Sequence, residues 1–152
     1  SPEKFCEKII AGKDAQASDD FMIIARIESL ILEKGMDDAK LRAEKYLEAG
    51  ADGILIHSRQ QDGLEIKEFS KYYKQLNANK PLVVVPTSYN SYTEEQLFQN
   101  GANIIIYANH LLRASYPAMV KTAMSILNNK RSKEADDSLI SIKEILNLIP
   151  GT

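Results

Sequence analysis

One cysteine, Cys6, stands in a chain of 152 residues, which excludes an internal disulfide and fits a reducing, cytoplasmic setting. No Cys-His pattern surrounds it, so its expected role is structural. No apolar run approaches the roughly 18 residues that a membrane span needs, and the opening Ser1-Pro2-Glu3-Lys4-Phe5 is no basic-then-apolar leader. Charge of one sign is lacking too: 19 Lys and Arg face 21 Asp and Glu, for a formal net charge of -2. That leaves no basic field for nucleic acid and no basic amphipathic helix for a membrane. Proline and glycine, five and seven, are too few for a disordered or fibrous chain, while 44% hydrophobic and 26% charged residues supply one ordinary core. A metal-ligand cluster, a glycine-rich phosphate loop and a nucleophile elbow are all missing.

What is present is organised around Ala49-Gly50-Ala51-Asp52-Gly53-Ile54-Leu55-Ile56-His57-Ser58, and Asn100-Gly101-Ala102-Asn103-Ile104-Ile105-Ile106-Tyr107-Ala108-Asn109 echoes it 51 residues later. In each, a Gly occupies the place of a left-handed helix cap and a mostly β-branched apolar run follows. A strand without polar alternation reads as buried on both faces, as parallel strands under helices are. Polar groups appear abruptly at its C-terminal end, where α/β folds bind ligands.

The remaining periodicities predict a helix over 3–12, a strand over 21–25 ending on Arg26, and a helix over 36–49 presenting Ala39, Ala43, Tyr46 and Leu47. They continue with strand 53–56, helix 64–76, and strand 82–85 closed by Pro86. Thr93 and Gln96 have capping-box spacing for a short helix to Gly101, followed by strand 104–107. Residues 109–127 read as a long helix whose start Pro117 shifts toward Ser115. A polar linker over 128–137 then leads to a last helix, capped by Asp137 or Ser138, with a stripe of Leu139, Ile142, Ile145, Leu146 and Ile149 and a stop at Pro150-Gly151.

Strand starts near 21, 53, 82 and 103 lie 32, 29 and 21 residues apart, the length of successive βα units. Functional-looking groups at every strand end favour the mouth of a barrel over an open sheet. The expected fold is therefore α/β, four parallel strands forming half of a (β/α)8 barrel, whose open apolar face something must cover. Expected boundaries are 1–128 for the half-barrel, 129–137 for the linker and 138–152 for a docking helix.

Candidate site residues follow from the strand ends. His57 is either a histidine held at a strand end or a functional group. Arg26 after a buried strand is costly unless paired, and Glu28 is its partner or its orienting neighbour. Ser58 adjoins His57. Thr87, with Ser88, is a turn former or a substrate contact, and Asn109, with His110, is a helix cap or a site residue.

The segments Ile24-Ala25-Arg26-Ile27-Glu28, Gly50 to Ser58, Val84-Val85-Pro86-Thr87-Ser88-Tyr89 and Tyr107-Ala108-Asn109-His110-Leu111-Leu112-Arg113-Ala114-Ser115 resemble, in order, the second half of the phosphoenolpyruvate mutase family of the isocitrate lyase superfamily. The resemblance covers essentially the whole chain and keeps the Arg26-to-His57 spacing of 31. It implies a (β/α)8 enzyme converting phosphoenolpyruvate to phosphonopyruvate with Mg2+, in which Arg26 and His57 contact the migrating phosphoryl group. Glu28, Ser58, Thr87 and Asn109 would bind substrate or support those two. The metal ligands, a carboxylate-gripping serine loop and a gating loop belong to the family's first half and have no equivalent here, so metal ligands are expected to be absent and the chain to be inactive alone. Completion is expected from an N-terminal half-barrel or a homo-oligomer, since the superfamily exchanges a C-terminal helix between subunits. Phosphonopyruvate hydrolase, another C–C or C–P lyase of the superfamily, and a non-catalytic half-barrel assembly module are the alternatives.

Overall fold

The computed structural model describes residues 1–18, 20–76 and 79–149. Helix α1 (Pro2–Asp14) precedes four strand-helix units: β1 (Ile24–Ile27) and α2 (Gly35–Glu48), β2 (Gly53–Ile56) and α3 (Leu64–Gln75), β3 (Leu82–Val84) and α4 (Glu94–Asn100), β4 (Ile104–Ile105) and α5 (His110–Asn129). A 3-10 turn, Lys133–Ser138, and the short α6 (Ile142–Leu146) follow. All strands are parallel, in the order β1-β2-β3-β4. This is the run of half a (β/α)8 barrel. The chain divides into two compact units, Ser1–Ala108 and Asn109–Thr152.

In the first unit the core lies between the sheet and α1 to α4. Alternation along each strand sends Ala25 and Ile27, Ile54 and Ile56, Leu82 and Val84 toward the helices, where none is more than 2% exposed. They meet Ala39, Ala43 and Tyr46 of α2 and Ile66, Phe69 and Tyr73 of α3, apolar residues spaced three or four apart on one helical face. The residues between them occupy the other face. Register places Arg26 beside Leu55, Leu55 beside Val83, and Val83 beside Ile104, one row across the sheet. Glycines at 50 and 101 end α2 and α4 with φ of +100° and +118°, a conformation open to Gly at little cost. The capping box expected at Thr93 forms fully, Gln96 returning the bond to the Thr93 N–H at 2.9 Å.

Four expectations need correction. The first strand starts at Ile24, with Phe21 and Met22 exposed before it, and it runs through Arg26 to Ile27 rather than ending there. Helix α5 begins at His110 and carries Pro117 inside it, as its eighth residue, so the proline does not delay the helix start to Ser115. The segment read as a bare linker holds the Lys133–Ser138 turn, anchored by Ala135, which is 2% exposed. The last helix is five residues long and capped by Ser141, whose hydroxyl and Glu144 form a second capping box, so Leu139 and Ile140 lie outside it. The stop expected at Pro150 and Gly151 falls outside the described residues.

Candidate functional site

The face opposite the core gathers the functional groups at the C-terminal ends of β1 and β2. Arg26 pairs in register with Leu55, and a two-residue step along each strand brings Glu28 and His57 to the same face. The row thus carries a cation, a carboxylate and an imidazole where the strands give way to loops. Arg26 Nε donates to a Glu28 carboxylate oxygen. Its Nη groups donate to no described residue, and the side chain is 52% exposed. An exposed pair of this kind contributes about 0–1 kcal/mol to stability, so its value lies in fixing the plane of the guanidinium.

His57 is half-buried, and its Nδ1 is buried without a hydrogen-bond partner among the described residues. Burial pushes its pKa below the ordinary 6.5, and the charge of Arg26 adds to that push. Glu28 and a hydrogen bond to the Val85 backbone work in the opposite direction, with Arg59 a further lowering influence. At neutral pH the ring is therefore neutral, able to accept at one nitrogen and donate from the other.

Ser58 points away from this face. It is fully buried, its hydroxyl donating to a Glu65 carboxylate oxygen and accepting from the Gln60 N–H at 3.0 Å. Thr87 follows Pro86 and is half-buried, its N–H donating to the Val85 carbonyl at 2.8 Å. Asn109 stands at the N-cap of α5 in the second unit, with φ of +56° and no capping bond from its side chain. Its position as a cap agrees with expectation; the capping chemistry does not form. Arg26, Glu28, His57 and Ser58 thus lie together at adjacent strand ends.

Behind Arg26, the loop from β1 to α2 is held by Asp38, which accepts from Ser29 Oγ at 2.6 Å and from Arg42 Nε at 2.7 Å. The Arg42 bond, chiefly, keeps the Asp38 carboxyl below the ordinary carboxylate range. A cavity of about 310 Å³ on this side takes in Arg26, Glu28, Lys34 and Arg42 but not His57. A second, of about 330 Å³, is lined by Glu33, Arg59, Gln60 and Glu65. Sequence reasoning missed Glu65, Arg59 and Tyr89. Tyr89 is 1% exposed, and burial raises its pKa to about 12 against a lowering bond from the Val85 backbone. For Glu65 the available signal was its place in the first turn of a helix seven residues after Ser58.

The donor set does not fit a metal. Among the described residues no group of three or more His, Cys, Asp or Glu side chains is placed to hold an ion. No helix among them is long and apolar enough to cross a membrane.

Four parallel strands alternating with helices, with polar groups gathered at their C-terminal ends, have the fold of half a (β/α)8 barrel. Residues 1–127 match the phosphoenolpyruvate phosphomutase family, and the chain belongs to that family, within the isocitrate lyase superfamily. It is 36% identical over 145 residues to phosphoenolpyruvate phosphomutase of Tetrahymena pyriformis, covering 95% of this chain and 47% of that protein. A crystal structure of phosphoenolpyruvate phosphomutase from Streptomyces platensis subsp. rosaceus superposes with a TM-score of 0.89 at 38% identity, over 97% of this chain and 50% of that one. Phosphonopyruvate hydrolase in complex with oxalate and Mg2+ superposes with a TM-score of 0.86 at 41% identity, over 97% and 52%. The chain spans about half the length of the curated relatives it matches.

Proposed function

We propose that this chain is the phosphoryl-handling half of a phosphoenolpyruvate phosphomutase. That reaction breaks the bond from phosphorus to the enol oxygen and forms one from phosphorus to the methylene carbon, giving phosphonopyruvate. The observation that carries the reading is the placement of Arg26 and His57 on one face at the ends of neighbouring parallel strands. The phosphoryl oxygens carry negative charge throughout the transfer, and fixed donors aimed at them lower the barrier without reorganising. Arg26 offers Nη donors because Glu28 occupies only Nε. His57 offers a buried nitrogen that has no hydrogen-bond partner among the described residues. Thr87 is assigned to substrate and Ser58 to support of His57.

Phosphonopyruvate hydrolase is the second reading, favoured by an identity of 41% against 38% for the mutase structure. It would use the same grip while water cleaves the carbon-phosphorus bond to pyruvate and inorganic phosphate. Ligands for a divalent ion are assigned to the remaining half of the barrel, and no step here runs through that ion. The chain alone is expected to be inactive. The full-length protein carrying this sequence, given phosphonopyruvate and followed by 31P NMR, should show phosphoenolpyruvate forming; inorganic phosphate instead selects the hydrolase. Neither product would overturn both readings.

Exposed Ile142, Ile145 and Ile149, 74%, 49% and 66% accessible, are assigned to contact with a second copy in a homo-oligomer. Replacing Ile142 and Ile145 by Asp should dissociate it, since unpaired carboxylates are costly to bury. An unchanged mass by light scattering would refute that assignment.

A further inference from the structure

Among the described residues the buried Nδ1 of His57 meets no hydrogen-bond partner, whereas an imidazole with a chemical task is ordinarily fixed by a hydrogen bond at the nitrogen that does not do the chemistry. The Val85 backbone bonds to the ring from the neighbouring strand end, and the chain that carries the ring is held from behind. Ser58, the next residue, is fully buried and spends its hydroxyl twice, donating to Glu65 and accepting from Gln60 N–H at 3.0 Å. Glu65 sits in the first turn of α3, a helix whose N-cap, Gly63, supplies no side-chain bond. A third tie comes from the neighbouring loop, where Tyr92 Oη donates to the Asp62 carbonyl at 2.9 Å. The chain between β2 and α3 is therefore pinned at Ser58, Gln60 and Asp62, and Glu65 is the anchor nearest His57.

We propose that Glu65 is a positioning residue for His57, acting through the Ser58 hydroxyl to hold the imidazole on the Arg26 face. The inference rests on the reading of His57 as a phosphoryl ligand. Charged groups facing the ring are Arg26 of β1, Glu28 just after it and Arg59 of its own loop, and the backbone of Val85, just after β3, hydrogen-bonds to the ring. None of them replaces the Ser58 anchor: the charged groups act on the ring's charge and the Val85 bond on the ring itself, while Ser58 holds the strand end that carries it.

The test uses the full-length protein with phosphoenolpyruvate or phosphonopyruvate as substrate. A misplacement of a reacting group by about 1 Å costs up to about a hundredfold, so Glu65→Ala and Ser58→Ala should each lower kcat about tenfold or more with KM within about threefold. Glu65→Gln keeps an oxygen that accepts from Ser58 and should stay within about threefold of the parent. A role confined to stability would not move the second readout, the ring resonances and titration of His57 by NMR. Loss of its signals in the His57→Ala variant assigns the His57 resonances. Both alanine variants should shift the His57 titration toward the ordinary histidine value, and Glu65→Gln should not. The proposal is overturned if Glu65→Ala keeps kcat within about twofold and leaves the His57 resonances in place while His57→Ala has lost activity. A His57→Ala protein with parental turnover instead overturns the phosphoryl reading on which this one stands. Should Glu65→Ala fail to fold, Ser58→Ala removes a single oxygen and decides on the same readouts.

Discussion

The two ends of β2 treat their polar groups in opposite ways. At the N-terminal end Asp52 is saturated: it accepts from the Ile23 N–H at 2.8 Å and from Lys13 Nζ at 2.9 and 3.0 Å, with Lys80 Nζ at 3.5 Å. At the C-terminal end, five residues on, His57 keeps a buried nitrogen that no described residue bonds and Arg26 keeps its Nη groups unused by any described residue. A buried polar atom left alone costs about 1–3 kcal/mol. A fold that satisfies one end so completely and leaves the other short is stabilised from below and kept available from above, the division of labour of parallel barrels.

The sharpest way to break this comparison is at Arg26. Lys keeps the charge but loses the planar fork, so two-point contact with phosphoryl oxygens goes. Loss of one such donor in a dry site is worth roughly 2.7–4 kcal/mol, or 10²–10³ in kcat. Arg26→Lys in the full-length protein should show that loss with an unchanged melting temperature, because the exposed pair with Glu28 contributes little to stability. A rate within threefold of the parent would remove Arg26 from the transition state.

That face was legible in the sequence for a physical reason. Apolar runs of period one, each ending abruptly in polar residues, are how buried parallel strands look, so Gly53–Ile56 was placed to the residue. Register is a matter of alternation, which carried Arg26, Glu28 and His57 to one face once the strands were set. What stayed hidden was tertiary. The Ser58 anchor at Glu65 and the Asp52 clamp on Lys13 join residues that no local period relates, the latter across 39 positions. The start of β1 was misplaced because Phe21 and Met22 are apolar yet exposed, so hydrophobicity pointed the wrong way. The last helix was read too long because its apolar stripe continues on both sides of α6, while Ser141 and Glu144 set its true start.

A smaller effect is expected at the saturated end. Asp52→Ala removes charge-assisted bonds that tie α1 to the sheet and should cost about 1.5–3 kcal/mol in urea denaturation. Turnover per folded molecule should not change, since nothing at this end reaches the Arg26 face. A fall in kcat without a fall in stability would mean that the two ends are coupled, and the comparison would fail.

The smallest expected effect separates the two ends by pH. Burial, then Arg26, holds the His57 pKa below the ordinary 6.5. Below that value the unfolded chain takes up a proton that the folded chain refuses, so stability falls as pH drops from about 6.5 toward the folded-state value. Asp52 behaves otherwise. Its bond from the Ile23 N–H, aided by Lys13 and Lys80, holds its pKa below the ordinary 3.8 against the opposing effect of burial. The folded carboxylate stays ionised where the unfolded one is protonated, so its contribution is full above 3.8 and is lost only as pH falls through the folded value. The two losses therefore begin in different windows. In denaturation midpoints measured across pH, His57→Gln should flatten the decline that starts near 6.5 and leave the one beginning near 3.8. Asp52→Asn should shrink the lower decline and spare the upper, though Asp38, held low by Arg42, keeps part of it. If His57→Gln leaves the upper slope untouched, the ring is not held neutral by its surroundings, and the unbonded nitrogen loses its meaning as a group kept ready for a ligand.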